Sequence, residues 1–162
     1  MRREKGTAVL RAAATVLCPV IFLVGSAALA QQTNTNAAIG KEDQIQPQEL
    51  AKLLKSGSEK PLVLYVGFHV LYHGGHIPGA EFIGAASQEA GKNDLIKRVQ
   101  PLPRSTFVVV YCGCCPWTHC PNVKPALAQL RSMGFTKAKV LYLENNFRSD
   151  WVDKGYPVES GD

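Results

Sequence analysis

Four of the five cysteines of this chain lie within nine residues, at positions 112–120, in the segment CGCCPWTHC. They are Cys112, Cys114, Cys115 and Cys120, whereas Cys18 lies near the N-terminus. Cysteines that serve only core packing would be scattered along the chain, so this clustering indicates thiol or sulfur chemistry. A cysteine thiolate is the reactive form both as a nucleophile and as a metal ligand.

Several chemistries are open to this cysteine loop, which we define as residues 112–120. Cys112 can carry sulfur as a persulfide, and the C-x-x-C spacing of Cys112 and Cys115 permits dithiol–disulfide exchange. The four thiolates, with His119 nearby, also suit a soft metal such as Cu(I) or Zn(II). Permanent disulfides that stiffen an exported loop are a structural alternative. The spacing is not that of a zinc finger, because no second C-x-x-C follows at a distance.

The segments on either side of the loop would position it. Residues 106–111 (TFVVVY) predict a buried strand that runs into Cys112. Beyond the loop, one face of a helix that ends at Gly134 is apolar, at Val123, Ala126, Leu127, Leu130 and Met133. Backbone N–H groups at such a strand–turn–helix junction can point at the Cys112 sulfur and favour its thiolate.

The rest of the chain alternates strands and helices. Short strands are predicted at 62–66, 81–83 and 138–143, and helices between Pro47 and Gly57, at 94–99 and at 147–154, with a Gly- and His-rich loop up to Gly79. This alternation predicts a three-layer α/β fold with a mostly parallel sheet between helices. Sites in such sheets lie beyond the carboxyl ends of the strands, where the cysteine loop is expected.

The N-terminal 30 residues have the layout of a secretory signal peptide. Arg2, Arg3 and Lys5 precede an uncharged stretch that ends in Ala-Leu-Ala, which predicts cleavage between Ala30 and Gln31. We therefore expect an exported, periplasmic or secreted protein with a signal peptide at 1–30 and a flexible lead-in at 31–45. An uncleaved anchor is the alternative, and only then would the chain contact a membrane.

The charge of the chain argues against nucleic acid as a partner. The net charge is +5, but residues 1–30 hold four basic residues and one acidic residue, so the remainder carries +2. No basic run with interleaved aromatic residues remains there.

The segment Gly75-His76-Ile77-Pro78-Gly79-Ala80 resembles the signature near the start of rhodanese domains. The apolar strand before it, the VVVYC segment at 108–112, the ALAQLRSMGF helix and the closing W…GYPV at 151–158 follow in the order of that family. The resemblance implies a rhodanese-like domain at 46–160 with Cys112 as the active cysteine. It also implies a thiosulfate or persulfide sulfurtransferase that needs no cofactor or metal. In the family this cysteine accepts sulfane sulfur as a persulfide and passes it to a thiol or to cyanide.

Several positions depart from the family pattern. Tyr65 and Gly67 stand where the family usually has an Asp and an Arg, and the loop is longer than usual and lacks the family's Arg. The expected partner is therefore a small sulfur donor or a protein thiol or persulfide, with the backbone of Gly113, Cys114 and Cys115 holding the persulfide. Cys114, Cys115 or Cys120 could resolve this intermediate. A non-catalytic module that binds Cu, Zn or a partner remains the alternative, as does a thiol–disulfide oxidoreductase that uses Cys112 and Cys115.

The four histidines lead to different expectations. His76 lies within the GHIPGA signature and is expected to brace its loop by hydrogen bonds. His69 and His73 are expected to face solvent from a loop. His119 is the one candidate for a proton donor, base or metal ligand beside the thiolates.

Overall fold

The structure is a computed structural model that describes residues 39–57 and 59–162. The predicted signal peptide at 1–30 and most of the lead-in lie outside the described residues. Within the described part, none of the helices combines the length and the apolar character that crossing a membrane requires.

A five-stranded, all-parallel sheet forms the centre of the fold, in the order β1-β5-β4-β2-β3. The strands are β1 (Gln44–Ile45), β2 (Leu62–Tyr65), β3 (Glu81–Phe82), β4 (Val108–Tyr111) and β5 (Ala138–Leu141). All four residues of β4 are fully buried, because this strand lies mid-sheet and is covered on both faces. A continuous apolar run of this kind is what a parallel central strand requires.

Four α-helices connect the strands: α1 (Pro47–Ser56), α2 (His69–Gly74), α3 (Glu89–Val99) and α4 (Val123–Ser132). Two short 3-10 turns lie at Lys41–Asp43 and Trp117–His119, and a π-helical turn at Arg148–Val152. Successive side chains of a strand point to opposite faces of the sheet, so β2 and β4 each contribute to two cores. One core packs the sheet against α3 and α4, and the other packs it against α1 and Trp151. The predicted three-layer α/β fold is therefore confirmed.

Four local predictions differ from the structure. The segment predicted as a loop contains α2, whose six residues are too few to show a helical stripe in the sequence. α3 begins at Glu89 rather than at residue 94, and the last predicted helix is a single π-helical turn. The end of the predicted lead-in forms β1, because two residues pair with β5, a long-range contact that local pattern does not encode.

Candidate functional site

Cys112 follows the last residue of β4 at the carboxyl edge of the sheet, and it is 1% exposed. It forms part of the wall of a cleft of about 470 Å³, together with Gly113 and Cys114 from its own loop and Asn146, Phe147 and Arg148 from the segment after β5. The predicted position of the site, beyond the carboxyl end of a parallel strand, is therefore where the structure places a cleft.

The cysteine loop bends sharply at Gly113, whose φ is +86°. A Cβ at this position would lie 2.6 Å from the Cβ of Phe147, so both the backbone conformation and the space require glycine. Backbone hydrogen bonds then fix the loop to the neighbouring segment: Phe147 N–H donates to the Gly113 carbonyl at 3.1 Å, and Trp117 N–H donates to the Glu144 carbonyl at 3.0 Å.

All four cysteines of the loop are free thiols, and their sulfur atoms are close together. The Sγ atoms of Cys112 and Cys114 are 3.2 Å apart, and those of Cys114 and Cys115 are also 3.2 Å apart. The Sγ atoms of Cys112, Cys114 and Cys120 lie within 4.8 Å of one another. The sequence pattern singled out Cys112 and Cys115 as a C-x-x-C pair, but the nearer partner of Cys112 is Cys114.

The environment of the loop favours the protonated form of the three neighbouring thiols. Burial raises the pKa of Cys114 to about 11, with a further contribution from the adjacent Cys115 thiol. Burial also raises the pKa of Cys115. The pKa of Cys120 is raised by its hydrogen bond with Cys112 and then by burial. These three cysteines are therefore thiols at neutral pH.

Asn122 is the side chain that contacts the Cys112 sulfur from the helix side. It is fully buried, its Nδ2 donates to Cys112 Sγ at 3.4 Å, and its Oδ1 accepts from Ser87 N–H at 3.0 Å. The backbone N–H groups of Asn122 and Val123, at the start of α4, hydrogen-bond with Cys120 rather than with Cys112. The sequence predicted backbone donors to the Cys112 sulfur, whereas the donor that the structure shows is a side-chain amide. Asn is common before helices, so its type alone gave no signal.

Tyr65 occupies the space beside Cys112. A Cβ added to Gly67 would lie 2.7 Å from the Tyr65 hydroxyl oxygen and 2.9 Å from Cys112 Sγ, so these two atoms are at most 5.6 Å apart. The buried hydroxyl has no hydrogen-bond partner among residues 39–57 and 59–162. Burial, followed by the nearby cysteine sulfurs, raises the pKa of Tyr65. The departures from the family pattern at 65 and 67 therefore place a neutral hydroxyl group within 5.6 Å of the Cys112 sulfur.

The cleft has one basic residue and an apolar rim among the described residues that line it. Arg148 is the basic residue, and its side chain is 84% exposed. The rim is formed by exposed apolar side chains, namely Val70, Leu71, Val152 and Val158. Neither feature was predicted, because both depend on how α2 and the C-terminal segment fold against the loop.

None of the described histidines belongs to the cluster of three sulfur atoms at Cys112, Cys114 and Cys120. His76 is buried, its Nδ1 is 2.9 Å from the Tyr72 carbonyl oxygen, and its ring stacks on that of Tyr72, so its predicted bracing role is confirmed. His69 lies on α2 rather than in a loop, with its Nε2 2.7 Å from Asp162 Oδ1. His119 is exposed and pairs with the Thr118 hydroxyl. It is not one of the residues that converge on a common point in the described part of the chain.

The chain is similar to known proteins both in its family and in its structure. The rhodanese-like domain family matches residues 46–151. A rhodanese-like domain from Anabaena sp. is 26% identical with a TM-score of 0.54, over 73% of this chain and 79% of that one. A thiosulfate sulfurtransferase from Pseudomonas aeruginosa is 26% identical with a TM-score of 0.51, over 74% of this chain but only 19% of that one.

A Bacillus halodurans protein, 22% identical with a TM-score of 0.57, covers 72% of this chain and 76% of that one and shows the fold alone. No curated protein sequence matches the chain. The family match spans well over half of the chain and includes Cys112, which follows β4 at the carboxyl edge of the sheet. The chain therefore belongs to the rhodanese-like domain family.

Proposed function

We propose that this protein is a sulfurtransferase that carries sulfane sulfur as a persulfide on Cys112 and passes it to a thiol acceptor. The observation that carries the proposal is the position of the Cys112 sulfur. It lies in a cleft at the end of the central strand and accepts a hydrogen bond from Asn122. Membership of the rhodanese-like family supports the same activity.

The chemistry has two displacement steps. In the first, the Cys112 thiolate attacks the outer sulfur of the donor, the S–S bond of the donor breaks, and the leaving group departs with the electron pair. In the second, an acceptor thiolate attacks the outer sulfur of the persulfide and Cys112 leaves as a thiolate. The Asn122 amide stabilises negative charge on Cys112 Sγ, and the Tyr65 hydroxyl can donate to the added sulfur within the cleft.

The charge and the apolar rim of the cleft favour one class of sulfur donor and acceptor over another. Thiosulfate carries two negative charges, and Arg148 is the one basic side chain among the described residues that line the cleft. The apolar rim favours contact with a protein surface instead. We therefore propose that the physiological partner is a persulfide or a thiol, carried either by a protein or by a small molecule.

The test is a comparison of sulfur loading in the wild type and in Cys112→Ser. Reduced protein is treated anaerobically with a sulfane donor, and the intact mass is measured together with the sulfur delivered to an added thiol. We expect the wild type to take sulfur from the donor and to deliver it to the added thiol, and Cys112→Ser to do neither. Cys115→Ser is the matched control, since Cys115 lies in the same loop and should leave loading intact. Full transfer activity in Cys112→Ser would refute the proposal.

A soft-metal site is the second candidate, because three sulfur atoms converge within 4.8 Å of one another. Cys112, Cys114 and Cys120 would supply three thiolates, a donor set that suits Cu(I). His119 lies outside this cluster. Anaerobic titration with Cu(I) against a chelating competitor tests the idea. Stoichiometric binding that is lost in Cys120→Ser but kept in Cys115→Ser would favour the metal site.

We also propose that the protein acts outside the cytoplasm, on the basis of the signal-peptide layout of residues 1–30. N-terminal sequencing of protein purified from its native host tests this proposal. A mature chain that begins at Gln31 is the expected result, and a chain that retains residues 2–30 would contradict it.

A further inference from the structure

We propose that the persulfide on Cys112 is resolved inside the chain by Cys114, so that the protein reduces sulfane sulfur to sulfide at the expense of an external dithiol. This inference rests on the proposed function, because it requires a persulfide on Cys112. It goes further in stating what happens to the persulfide when no external thiol takes its outer sulfur: which thiol attacks it, what product leaves, and which class of reductant restores the two thiols.

The distance between the two sulfur atoms is the first argument. Cys112 and Cys114 Sγ are 3.2 Å apart, which lies in the range of about 3–3.5 Å expected of atoms held ready to react. A disulfide bond is about 2.05 Å long, so an approach of about 1 Å would form it. The bend at Gly113 produces this arrangement, because it returns the chain so that Cys114 lies next to Cys112.

The balanced step is a displacement at the inner sulfur of the persulfide. Cys114 Sγ bonds to Cys112 Sγ, the bond between Cys112 Sγ and the outer sulfur breaks, and the outer sulfur leaves with that electron pair. It takes the proton of the Cys114 thiol, so a persulfide and a thiol become a disulfide and hydrogen sulfide. The outer sulfur is reduced and Cys114 is oxidised. An external dithiol then donates two electrons and two protons to restore both thiols and itself becomes a disulfide.

The limited accessibility of the Cys112 sulfur explains why Cys114, rather than an external thiol, attacks the inner sulfur of the persulfide. Cys112 is 1% exposed, so the inner sulfur of its persulfide is shielded from a thiol on a protein surface, although the outer sulfur projects into the cleft; Cys114 is only partly buried and lines the same cleft. Once a Cys112–Cys114 disulfide forms, its Cys114 sulfur is the atom that an incoming dithiol meets. The apolar rim around the cleft provides a surface for a dithiol carried by a protein.

The other two cysteines are less well placed. Cys115 Sγ contacts Cys114 rather than joining the cluster of three sulfurs around Cys112. Cys120 belongs to that cluster, but its sulfur is held by the backbone N–H groups of Asn122 and Val123 and lines a narrow cavity beneath the loop instead of the open cleft. Cys114 is therefore the thiol that combines proximity to Cys112 with access to the cleft.

The experiment is a single turnover without added thiol. The reduced full chain is loaded anaerobically with a small excess of a sulfane donor, and we measure released sulfide and intact mass over time. The wild type should release about one equivalent of sulfide and lose about 2 Da as a disulfide forms. Cys114→Ser should keep its added sulfur, with a gain of about 32 Da, and release sulfide at least about tenfold more slowly. Cys115→Ser should behave like the wild type.

The outcomes separate this inference from the proposed function. Loading of Cys114→Ser followed by sulfide release at the wild-type rate would overturn internal resolution and leave the sulfurtransferase intact. Absence of both persulfide and sulfide in every variant would overturn both. Peptide mapping of the oxidised wild type gives a check that needs no variant to fold. A Cys112–Cys114 bond supports the inference, and a Cys112–Cys120 or Cys112–Cys115 bond contradicts it.

Discussion

The hydrogen bond from Asn122 to Cys112 leads to the sharpest prediction, which is tested by Asn122→Leu. Leucine has the same number and branching of side-chain heavy atoms as asparagine and keeps water out of the site, but it cannot donate to sulfur. Asn122 is fully buried and its Nδ2 is 3.4 Å from Cys112 Sγ, so water does not readily replace this donor when the amide is removed. The variant therefore removes the donor without opening the site.

The size of the effect follows from the charge that the hydrogen bond stabilises. A hydrogen bond to a charged group contributes about 1.5–3 kcal/mol. Each 1.36 kcal/mol changes a rate about tenfold, so loss of this donor should slow the reaction of Cys112 by about 10- to 100-fold. The same substitution also removes the acceptor for Ser87 N–H, which should lower the free energy of unfolding by only about 1 kcal/mol, the net contribution of one neutral hydrogen bond.

The reaction of Cys112 is measured by quenching at intervals after addition of a sulfane donor and determining the intact mass, with the persulfide and the disulfide that follows it counted together. Unfolding is measured in urea on the same preparations. Asn145→Leu is the matched control: Asn145 also donates through its side-chain amide, but to Asp150 at an exposed site. It should leave the loading rate of Cys112 unchanged. If folded Asn122→Leu loads Cys112 within about threefold of the wild-type rate, the amide does not stabilise the reacting sulfur, and the electrostatic argument fails.

Three further predictions follow from the same site. Gly67→Ala should slow sulfur loading at least about tenfold, because its Cβ would lie 2.7 Å from the Tyr65 hydroxyl and 2.9 Å from Cys112 Sγ, whereas Gly74→Ala, whose Cβ meets nothing within 4 Å, should load normally. Tyr65→Phe should raise the free energy of unfolding in urea by about 1–3 kcal/mol, since it removes a buried hydroxyl without a partner in the described part of the chain, and a loss of stability would contradict this. The labelling rate of Cys114 by iodoacetamide, localised by mass spectrometry, should rise about tenfold per pH unit between about pH 7 and 10, because its pKa is about 11 and the thiolate is the reactive form. A plateau near the ordinary cysteine pKa of about 8.5 would show that Cys114 is not perturbed.

The amino-acid sequence by itself determined the fold class and the position of Cys112 at the end of a buried strand. The apolar run at residues 108–111 and the apolar face of α4 are local patterns in the sequence. A strand that is buried on both faces must be apolar throughout, and a helix that is buried on one face must be apolar on that face, so both patterns can be read without the structure. The parallel order of the strands and the place of Cys112 at the carboxyl end of β4 follow from these patterns and from the rhodanese-like signature at 75–80.

Only the tertiary structure decided which groups surround that cysteine. Spacing along the chain favoured Cys112 and Cys115, but the positive φ of Gly113 directs the loop so that Cys114 lies 3.2 Å from Cys112. Asn122, the Tyr65 hydroxyl and Arg148 reach the site from three other segments, and no local periodicity records contacts between residues so far apart in the chain. The buried positions of a strand or helix can be predicted from the order of apolar and polar residues. The distances between the side chains of a site depend instead on the path of the backbone through the loops, and the hydrophobic pattern does not specify that path.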